Sequence, residues 1–440
     1  MQSMKESATA IGGRFRSPTA MTISPLLPGG GPLLPRGGDE LSSRDKKASV
    51  TTGALALDQL IDQAQQATGL ADFGEASWRE GAERLISDLN ERAALTEIGG
   101  AIAGSDVLEY LTNRLRVVDW VARNPSIADA DIRPPIVVLG LPRTGTTILF
   151  DVLAQDPANR VPLTWEVDQP WPPPETASYD SDPRIEEVDA KLANVDLLIP
   201  GFRAMHDMGA RLGQECVRIT AADFRSMIFS TQYRVPEYQQ WLLHQADMAP
   251  AYRYHRMFLQ YLQSAHSAER WVIKSPAHLW SLESMFTEYP DALIVETHRD
   301  PLRVVCLLSS LVDLLRRLAS DDVSISAVAA EWVDDVVLGL DRAVEARRDG
   351  TVPNGRAVDV LFSDFVRDPM AVVSTIYERL GIELTEAAES AMRSFLAANP
   401  QEKHGGHKYS FADTGLDAGL LRERTRAYQD FFDIPEEALP

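Results

Sequence analysis

Residues 140–147, Gly-Leu-Pro-Arg-Thr-Gly-Thr-Thr, form a loop whose residue types and spacing suit the binding of an oxyanion. An apolar run precedes the loop and a helical pattern follows it, which is the setting of a phosphate-binding loop. The free N–H groups and the dipole of a helix N-terminus attract an anion. Thr146 stands where a nucleotide-hydrolysing loop has lysine, and the cation of this loop is Arg143. The pattern predicts a phosphate-type site in which Arg143, Thr146 and Thr147 bind oxygen atoms without Mg²⁺.

Three more apolar runs end in residues that carry charge or donate hydrogen bonds. They are R-V-P-L-T-W-E (160–166) with Glu166, W-V-I-K (271–274) with Lys274, and A-L-I-V-E-T (292–297) followed by His298 and Arg299. Ligands of a parallel sheet bind beyond the carboxyl ends of its strands. We therefore expect these side chains to meet Arg143 at one edge of a sheet.

The order of the apolar runs predicts an α/β fold, with a parallel sheet flanked by helices. I-V-V-L-G (136–140) and A-V-D-V-L-F (357–362) complete the set of strands, and helical stretches lie between most of them. Strands with such continuous apolar runs are covered on both faces. Residues 54–128 repeat apolar residues every three or four positions, which predicts helices ahead of the sheet.

Composition and pattern divide the chain into three predicted parts. Residues 1–52 are expected to form a disordered leader, with a transit segment as the alternative, because their Gly- and Pro-rich stretches cannot build a core. Residues 53–130 form a predicted N-terminal helical segment, and residues 131–440 the sheet domain. Within that domain, about residues 200–262 predict a helical insertion on the acceptor side.

The overall charge and the cysteine content exclude several classes of function. A net charge of −21 over 440 residues argues against a nucleic-acid or anionic-lipid surface. Two cysteines, Cys216 and Cys306, suggest neither a disulfide framework nor a cysteine metal site. The sequence has no apolar run of about 18 residues, so we predict no integral membrane span and a cytoplasmic location. The oligomeric state stays open, a homo-oligomer included.

Three of these motifs together resemble a known enzyme family. P-R-T-G-T-T (142–147), V-I-K-S-P-A-H (272–278) and H-R-D-P (298–301) look like the sulfotransferases that use 3′-phosphoadenosine 5′-phosphosulfate (PAPS), and most like their bacterial, including actinobacterial, branch. The resemblance runs from about Pro134 to Leu416. It implies a P-loop-type α/β fold and the transfer of a sulfuryl group from PAPS to a hydroxyl acceptor, with no metal.

The resemblance also implies which residues hold the nucleotide. The loop would bind the 5′-phosphosulfate through Arg143, Thr144, Gly145, Thr146 and Thr147. Arg299 matches the family arginine on the 3′-phosphate. The family serine eight residues later is Leu307 here, and Ser309 and Ser310 follow it, Ser310 matching a second serine of the branch. Lys408 and Tyr409 lie in a stretch that resembles the loop closing over the nucleotide.

The reaction needs a base for the acceptor proton and a cation for the leaving group. Glu166 resembles the glutamate that is the base in some members, and His278 resembles the histidine of the cytosolic branch, although its spacing from Lys274 differs. A strand-end carboxylate and a histidine satisfied by backbone are the structural alternatives. Arg143 is the first candidate for the cation and Lys274 the second.

Aromatic residues in 227–244 and 251–262 favour an apolar or lipid-like alcohol or phenol as the acceptor. His404 and His407 have no third metal ligand at a suitable spacing. Three alternatives remain open: a strand–helix turn without a ligand, a non-catalytic nucleotide-binding relative, and a P-loop kinase. The kinase would need a loop lysine and an acid for magnesium, and the sequence shows neither plainly.

Overall fold

The computed structural model describes residues 53–198, 208–399 and 410–439. The predicted leader and the candidate site residues Lys408 and Tyr409 lie outside these ranges. Among the helices described, none is both long and apolar enough to cross a membrane.

Five parallel strands of the described chain form one sheet in the order β2-β3-β1-β4-β5. They are β1 (Ile136–Leu139), β2 (Asn159–Arg160), β3 (Arg270–Lys274), β4 (Leu293–His298) and β5 (Ala357–Leu361). The central strand β1 pairs Val137 with Ile273 on one side and with Ile294 on the other. The prediction of a parallel sheet is confirmed, and the carboxyl ends of β1, β3 and β4 lie at the same edge.

Alternate residues of the central strands enter two separate hydrophobic cores. Ile136 and Val138 of β1 belong to one core, whereas Val137 and Leu139 belong to the other. A strand that buries both faces reads as a continuous apolar run. This double burial explains why these short strands were recognisable in the sequence.

Helices cover both faces of the sheet and connect its strands. In chain order they are α1 (Leu57–Thr68), α2 (Trp78–Glu91), α3 (Glu97–Arg123), α4 (Thr146–Leu153), α5 (Thr164–Asp168), α6 (Pro183–Leu198), α7 (Cys216–Thr220), α8 (Ile228–Gln232), α9 (Pro236–His244), α10 (Ala249–Gln263), α11 (Leu282–Glu288), α12 (Pro301–Arg316), α13 (Ile325–Arg348), α14 (Phe362–Arg367), α15 (Pro369–Leu380), α16 (Glu386–Ala398) and α17 (Ala418–Phe431). Short 3-10 helices span Pro125–Ile127, Tyr179–Ser181, Ala221–Asp223, Pro276–Trp280 and Phe411–Thr414.

The N-terminal helices α1 to α3 agree with the helical pattern of residues 54–128. Buried Arg114 of α3 fastens this region to the later chain, because its guanidinium donates to Asp223 Oδ1 at 3.1 Å and to Ala222 O at 3.1 Å. The apolar faces of all three helices join the same core as Val137 of the sheet. The division at about residue 130 into two parts stays a prediction.

The prediction that residues 160–166 form a strand ending in Glu166 is wrong. Only Asn159 and Arg160 pair with the sheet, and Glu166 lies inside helix α5. Pro162 has no N–H to donate to a neighbouring strand. The Glu166 carboxylate accepts the Leu163 N–H at 2.8 Å and so caps the start of the helix.

Candidate active site

The loop between β1 and α4 has a backbone that few sequences can adopt. Gly140, Arg143 and Gly145 have φ angles of +133°, +71° and +94°. A Cβ on Gly140 would lie 2.4 Å from Thr297 O, so β4 approaches the loop too closely for any side chain there. A Cβ on Gly145 would lie 2.9 Å from the Phe362 ring. The two glycines allow the chain to turn tightly from β1 into α4.

The three threonines of the loop have different positions. Thr144 is buried, and its hydroxyl lies 2.7 Å from Leu141 O and 2.6 Å from Thr297 Oγ1, so it fastens the loop to β4. Thr146 and Thr147 open α4, where the first backbone N–H groups of the helix have no partner within it. Thr147 is half-buried. The helix N-terminus and the Thr147 hydroxyl are groups that suit an anion, and their role in an anion site stays a prediction.

Lys274, at the end of β3, reaches this loop. Its Nζ donates to Thr147 Oγ1 at 3.3 Å and to Glu215 Oε1 at 2.5 Å. The ammonium also lies 5.6 Å from the centre of the Phe150 ring, and the side chain is 1% exposed. Such burial keeps a lysine in place only where charged and polar partners compensate it. The structure therefore joins a cation, a carboxylate and a loop hydroxyl in one contact chain.

Glu215 is a candidate that the sequence analysis missed. It immediately precedes α7, and its side chain is 22% exposed. It stands within the predicted insertion rather than at the end of a strand, so the strand-end argument did not reach it. The available signal was an acidic residue directly before the apolar helical run C-V-R-I-T (216–220).

Arg299 follows β4 and lies beside the loop, as predicted. Its Nη1 donates to Arg143 O at 3.2 Å, and its guanidinium lies 4.2 Å from the centre of the Phe362 ring. The Nε and Nη2 atoms each donate to the Glu437 carboxylate at 2.9 Å. Two candidate anion-binding arginines, Arg143 and Arg299, are thus joined through a backbone carbonyl.

The serines after Arg299 lie further along α12. Ser309 is buried and donates its hydroxyl to Val305 O at 2.8 Å, one turn back in the same helix. Ser310 is half-buried, and Leu307 is buried. A hydroxyl bonded to its own helix needs a rotamer change before it can bind a ligand. Ser309 and Ser310 stay predictions as ligands of the 3′-phosphate.

Glu166 has a set of contacts distinct from those of Lys274. Its carboxylate lies 2.6 Å from Arg160 Nη2 as well as accepting the Leu163 N–H, and the side chain is fully buried. Arg160 in turn stacks 4.5 Å from the Trp271 ring centre. These contacts favour a structural role for Glu166, and its assignment as the base stays a prediction.

His278 is buried beside Lys274 in the 3-10 helix that follows β3. Its Nδ1 lies 2.7 Å from Tyr252 Oη, while Nε2 has no hydrogen-bond partner among the described residues. Burial lowers the pKa of His278 to about 4, although the nearby charge of Glu215 opposes this shift. The imidazole is therefore neutral at pH 7, so it can accept a proton but is a weak base.

A cavity of about 20 Å³ borders His278. That volume holds one water-sized group. The side chains around it include apolar, aromatic and hydroxyl groups from α7, α9, α10 and the 3-10 helix Pro276–Trp280, among them Cys216, Thr220, Leu242, Tyr252 and Trp280. A larger cavity, of about 600 Å³, is lined by Arg270 and Trp271 at the opposite end of β3 from Lys274.

One group of possible metal ligands occurs in the described chain, namely Glu296, His298 and Asp359. Arg347 Nη2 lies 2.6 Å from both carboxylates, so a cation already balances their charge. Burial alone would raise the pKa of Asp359, but the His298 hydrogen bond and the Arg347 charge hold it below its ordinary value. His298 Nδ1 lies 2.7 Å from Tyr428 Oη. His298 thus belongs to this ion-pair network and not to the loop.

Comparisons of this chain with a family model, with solved structures and with curated sequences all match the same family of enzymes. A family model described as "Sulfotransferase family" matches residues 134–386. The crystal structure of sulfotransferase STF9 from Mycobacterium avium has a TM-score of 0.80 and 30% identity, and the match covers 90% of this chain and 100% of that one. The crystal structure of sulfotransferase STF1 from Mycobacterium tuberculosis has a TM-score of 0.76 and 30% identity, and the match covers 85% of this chain and 99% of that one. The omega-hydroxy-beta-dihydromenaquinone-9 sulfotransferase Stf3 of Mycobacterium bovis is 23% identical over 62% of this chain and 70% of its own.

Proposed function

The chain belongs to the sulfotransferase family and is a sulfotransferase enzyme, and we propose that it moves the sulfuryl group of PAPS to the hydroxyl of an apolar or lipid-like alcohol or phenol. The observation that carries this proposal is the contact chain Thr147–Lys274–Glu215, which brings a loop hydroxyl, a cation and a carboxylate together. Sulfuryl transfer to a hydroxyl needs these three kinds of group.

The donor site is supported by the shape and charge of the loop. The N-terminus of α4, with Gly145, Thr146 and Thr147, suits the 5′-phosphosulfate, and Arg143 supplies charge within the loop. Thr144 has a positioning role, because its hydroxyl bonds to Thr297. Arg299, joined to Arg143 O, is the proposed partner of the 3′-phosphate. These side chains suit a nucleotide that carries two separate anionic groups, without requiring a metal ion.

In the proposed reaction, the acceptor oxygen attacks sulfur from the side opposite the nucleotide. A new S–O bond forms as the bond from sulfur to the bridging oxygen breaks, and negative charge grows on that oxygen. Lys274 and Arg143 stabilise this charge, because both are cations at the loop. The acceptor hydroxyl loses its proton to a base as the new bond forms.

We assign the base to Glu215. Its carboxylate is 2.5 Å from the same Lys274 Nζ that contacts Thr147, so it lies close to the loop that would hold the sulfuryl group. A carboxylate oxygen in this position can accept the proton of a hydroxyl brought beside the loop. Glu166 and His278 remain the candidates to be tested against it.

The acceptor class is supported by two observations. The cavity beside His278 is too small to hold an acceptor, but the side chains around it are mainly aliphatic and aromatic, including Leu242, Met248 and Trp280, so the surroundings of His278 are apolar. The name of the related Stf3 protein gives its acceptor as an omega-hydroxylated dihydromenaquinone, a hydroxyl on a largely apolar molecule. We propose an acceptor with the same general chemistry, and a cytoplasmic site of action.

The test begins with a thermal-shift titration with adenosine 3′,5′-bisphosphate, with ATP and Mg²⁺ in parallel. A ligand that binds only the folded state adds about 2.7 kcal/mol at a hundredfold excess over its Kd. We expect a shift with the bisphosphate, loss of that shift in Arg143→Ala, and transfer of labelled sulfate from PAPS to long-chain alcohols or phenols. A shift with ATP and Mg²⁺ alone would contradict the proposed donor. Binding of the bisphosphate without transfer to these alcohols or phenols would contradict the proposed acceptor class.

A further inference from the structure

Residues 436–438 form a short acidic segment that contacts the proposed donor site next to Arg299. The Glu437 backbone N–H donates to Asp300 Oδ2 at 2.7 Å. Arg303 Nη1 donates to Ala438 O at 3.2 Å. Asp300 is itself buried and caps α12 by accepting the Leu302 N–H at 3.0 Å. Backbone contacts on both sides of the Glu437 side chain thus hold the segment at the start of α12.

These contacts direct the Glu437 carboxylate onto Arg299. Arg299 Nε donates to the two carboxylate oxygens at 2.9 and 3.2 Å, and Nη2 donates to Oε2 at 2.9 Å. Arg303 Nε adds a charge 3.6 Å from Oε2. The side edge of the Arg299 guanidinium, which suits a carboxylate or a phosphate equally, is therefore engaged by a residue of the same chain.

We propose that Glu437 is a donor-site residue that competes with the 3′-phosphate for Arg299 and so sets the affinity for the nucleotide and the rate of its release. This inference rests on the proposed function, in which Arg299 binds the 3′-phosphate. A carboxylate and a phosphate at one guanidinium edge repel each other, because both are anions. The bound nucleotide therefore requires Glu437 to leave Arg299, and the return of Glu437 assists product release.

The proposed competition predicts that Glu437 changes the Kd only of nucleotides that carry a 3′-phosphate. The apparent Kd equals the intrinsic Kd divided by the fraction of molecules in which Arg299 is open. The Glu437 side chain is 32% exposed, so its ion pair is moderate in strength, and removing it should tighten binding by roughly two- to tenfold. A nucleotide without a 3′-phosphate does not need Arg299, and its affinity should not change.

The experiment measures the Kd of adenosine 3′,5′-bisphosphate and of adenosine 5′-phosphosulfate by calorimetry, and the release rate of the bisphosphate by stopped-flow displacement. The proteins are the full chain, Glu437→Gln and the matched control Glu436→Gln, whose side chain is 72% exposed and 3.6 Å from Arg422. We expect Glu437→Gln alone to bind the bisphosphate two- to tenfold more tightly and to release it more slowly, with unchanged affinity for adenosine 5′-phosphosulfate.

The outcomes separate this inference from the proposed function. Equal or weaker binding of the bisphosphate by Glu437→Gln, or equal tightening for both nucleotides, overturns the role of Glu437. An Arg299→Ala variant that keeps full affinity for the bisphosphate shows that Arg299 is not its partner, and overturns the inference together with the 3′-phosphate assignment. Failure of the unmodified protein to bind the bisphosphate at all overturns both the proposed donor and this inference.

Discussion

The Arg160 guanidinium lies 2.6 Å from the Glu166 carboxylate, and the two side chains are only 4% and 0% exposed. Loss of one charge from such a pair leaves the other buried without compensation. We expect Glu166→Gln to lower the free energy of unfolding by about 3 kcal/mol, as measured by urea denaturation. Exposed Glu186→Gln is the control and should change it by less than about 0.5 kcal/mol. Unchanged stability combined with lost turnover would instead identify Glu166 as the base.

Glu215→Gln should behave differently from Glu166→Gln. The amide oxygen can still accept from Lys274 but cannot take the acceptor proton, so kcat should fall by roughly 10²- to 10⁴-fold. Affinity for adenosine 3′,5′-bisphosphate should stay within about threefold of the unmodified enzyme, because the donor loop is intact. Single-turnover rates with PAPS measure the effect. Near-normal rates in Glu215→Gln, together with an inactive His278→Gln, would assign the base to His278.

The loop glycine Gly140 should tolerate no side chain. Gly140→Ala combines a positive φ with a Cβ 2.4 Å from Thr297 O, and we expect a loss of about 3 kcal/mol or more in the free energy of unfolding. Gly350→Ala is the matched control, since Gly350 has a φ of +84° and nothing within 4 Å of its Cβ. The free energy of unfolding of Gly350→Ala should fall by only about 1 kcal/mol. Similar losses in the two variants would show that the close approach of β4 is unimportant.

Two buried histidines predict a loss of stability in acid. Burial lowers the pKa of His278 to about 4 and that of His255 to about 3. As the pH falls from 6.5, the unfolded chain binds these protons before the folded chain does, so the free energy of unfolding decreases. The decrease continues to about pH 4 for His278 and about pH 3 for His255. At about 1.4 kcal/mol per unit of pKa difference, we expect a total decrease of about 3 kcal/mol from His278 and about 5 kcal/mol from His255.

Urea denaturation from pH 7 to pH 4 measures this dependence. His278→Gln removes one of these two buried histidines, so the stability of the variant should fall less steeply than that of the unmodified protein over the same range. Identical slopes in the two proteins would mean that His278 is protonated as readily in the folded state as in the unfolded chain.

Local spacing made some of the site predictable from sequence. The loop and Lys274 follow apolar strands, and a strand end is fixed by only a few neighbouring residues. The strand ending in Glu166 was predicted wrongly because R-V-P-L-T-W-E is apolar in composition, although Pro162 cannot pair in a sheet. Glu215 could not be found by this reasoning, because its contact with Lys274 depends on how the helical insertion packs. The contact of Arg299 with Glu437 spans 138 positions, and no local pattern reports it.

The hydrogen bond from Arg299 to Arg143 O fixes the distance between the proposed sites for the two anionic groups of the nucleotide. The proposed contacts for the two ends of the donor sit on adjacent strands, so the gap between them is set by backbone and not by flexible side chains. The donor would then bind as a chelate, in which the first end brings the second to its partner with little further loss of entropy. Lengthening the bridge between the two phosphates would forfeit this advantage even where each end still fits.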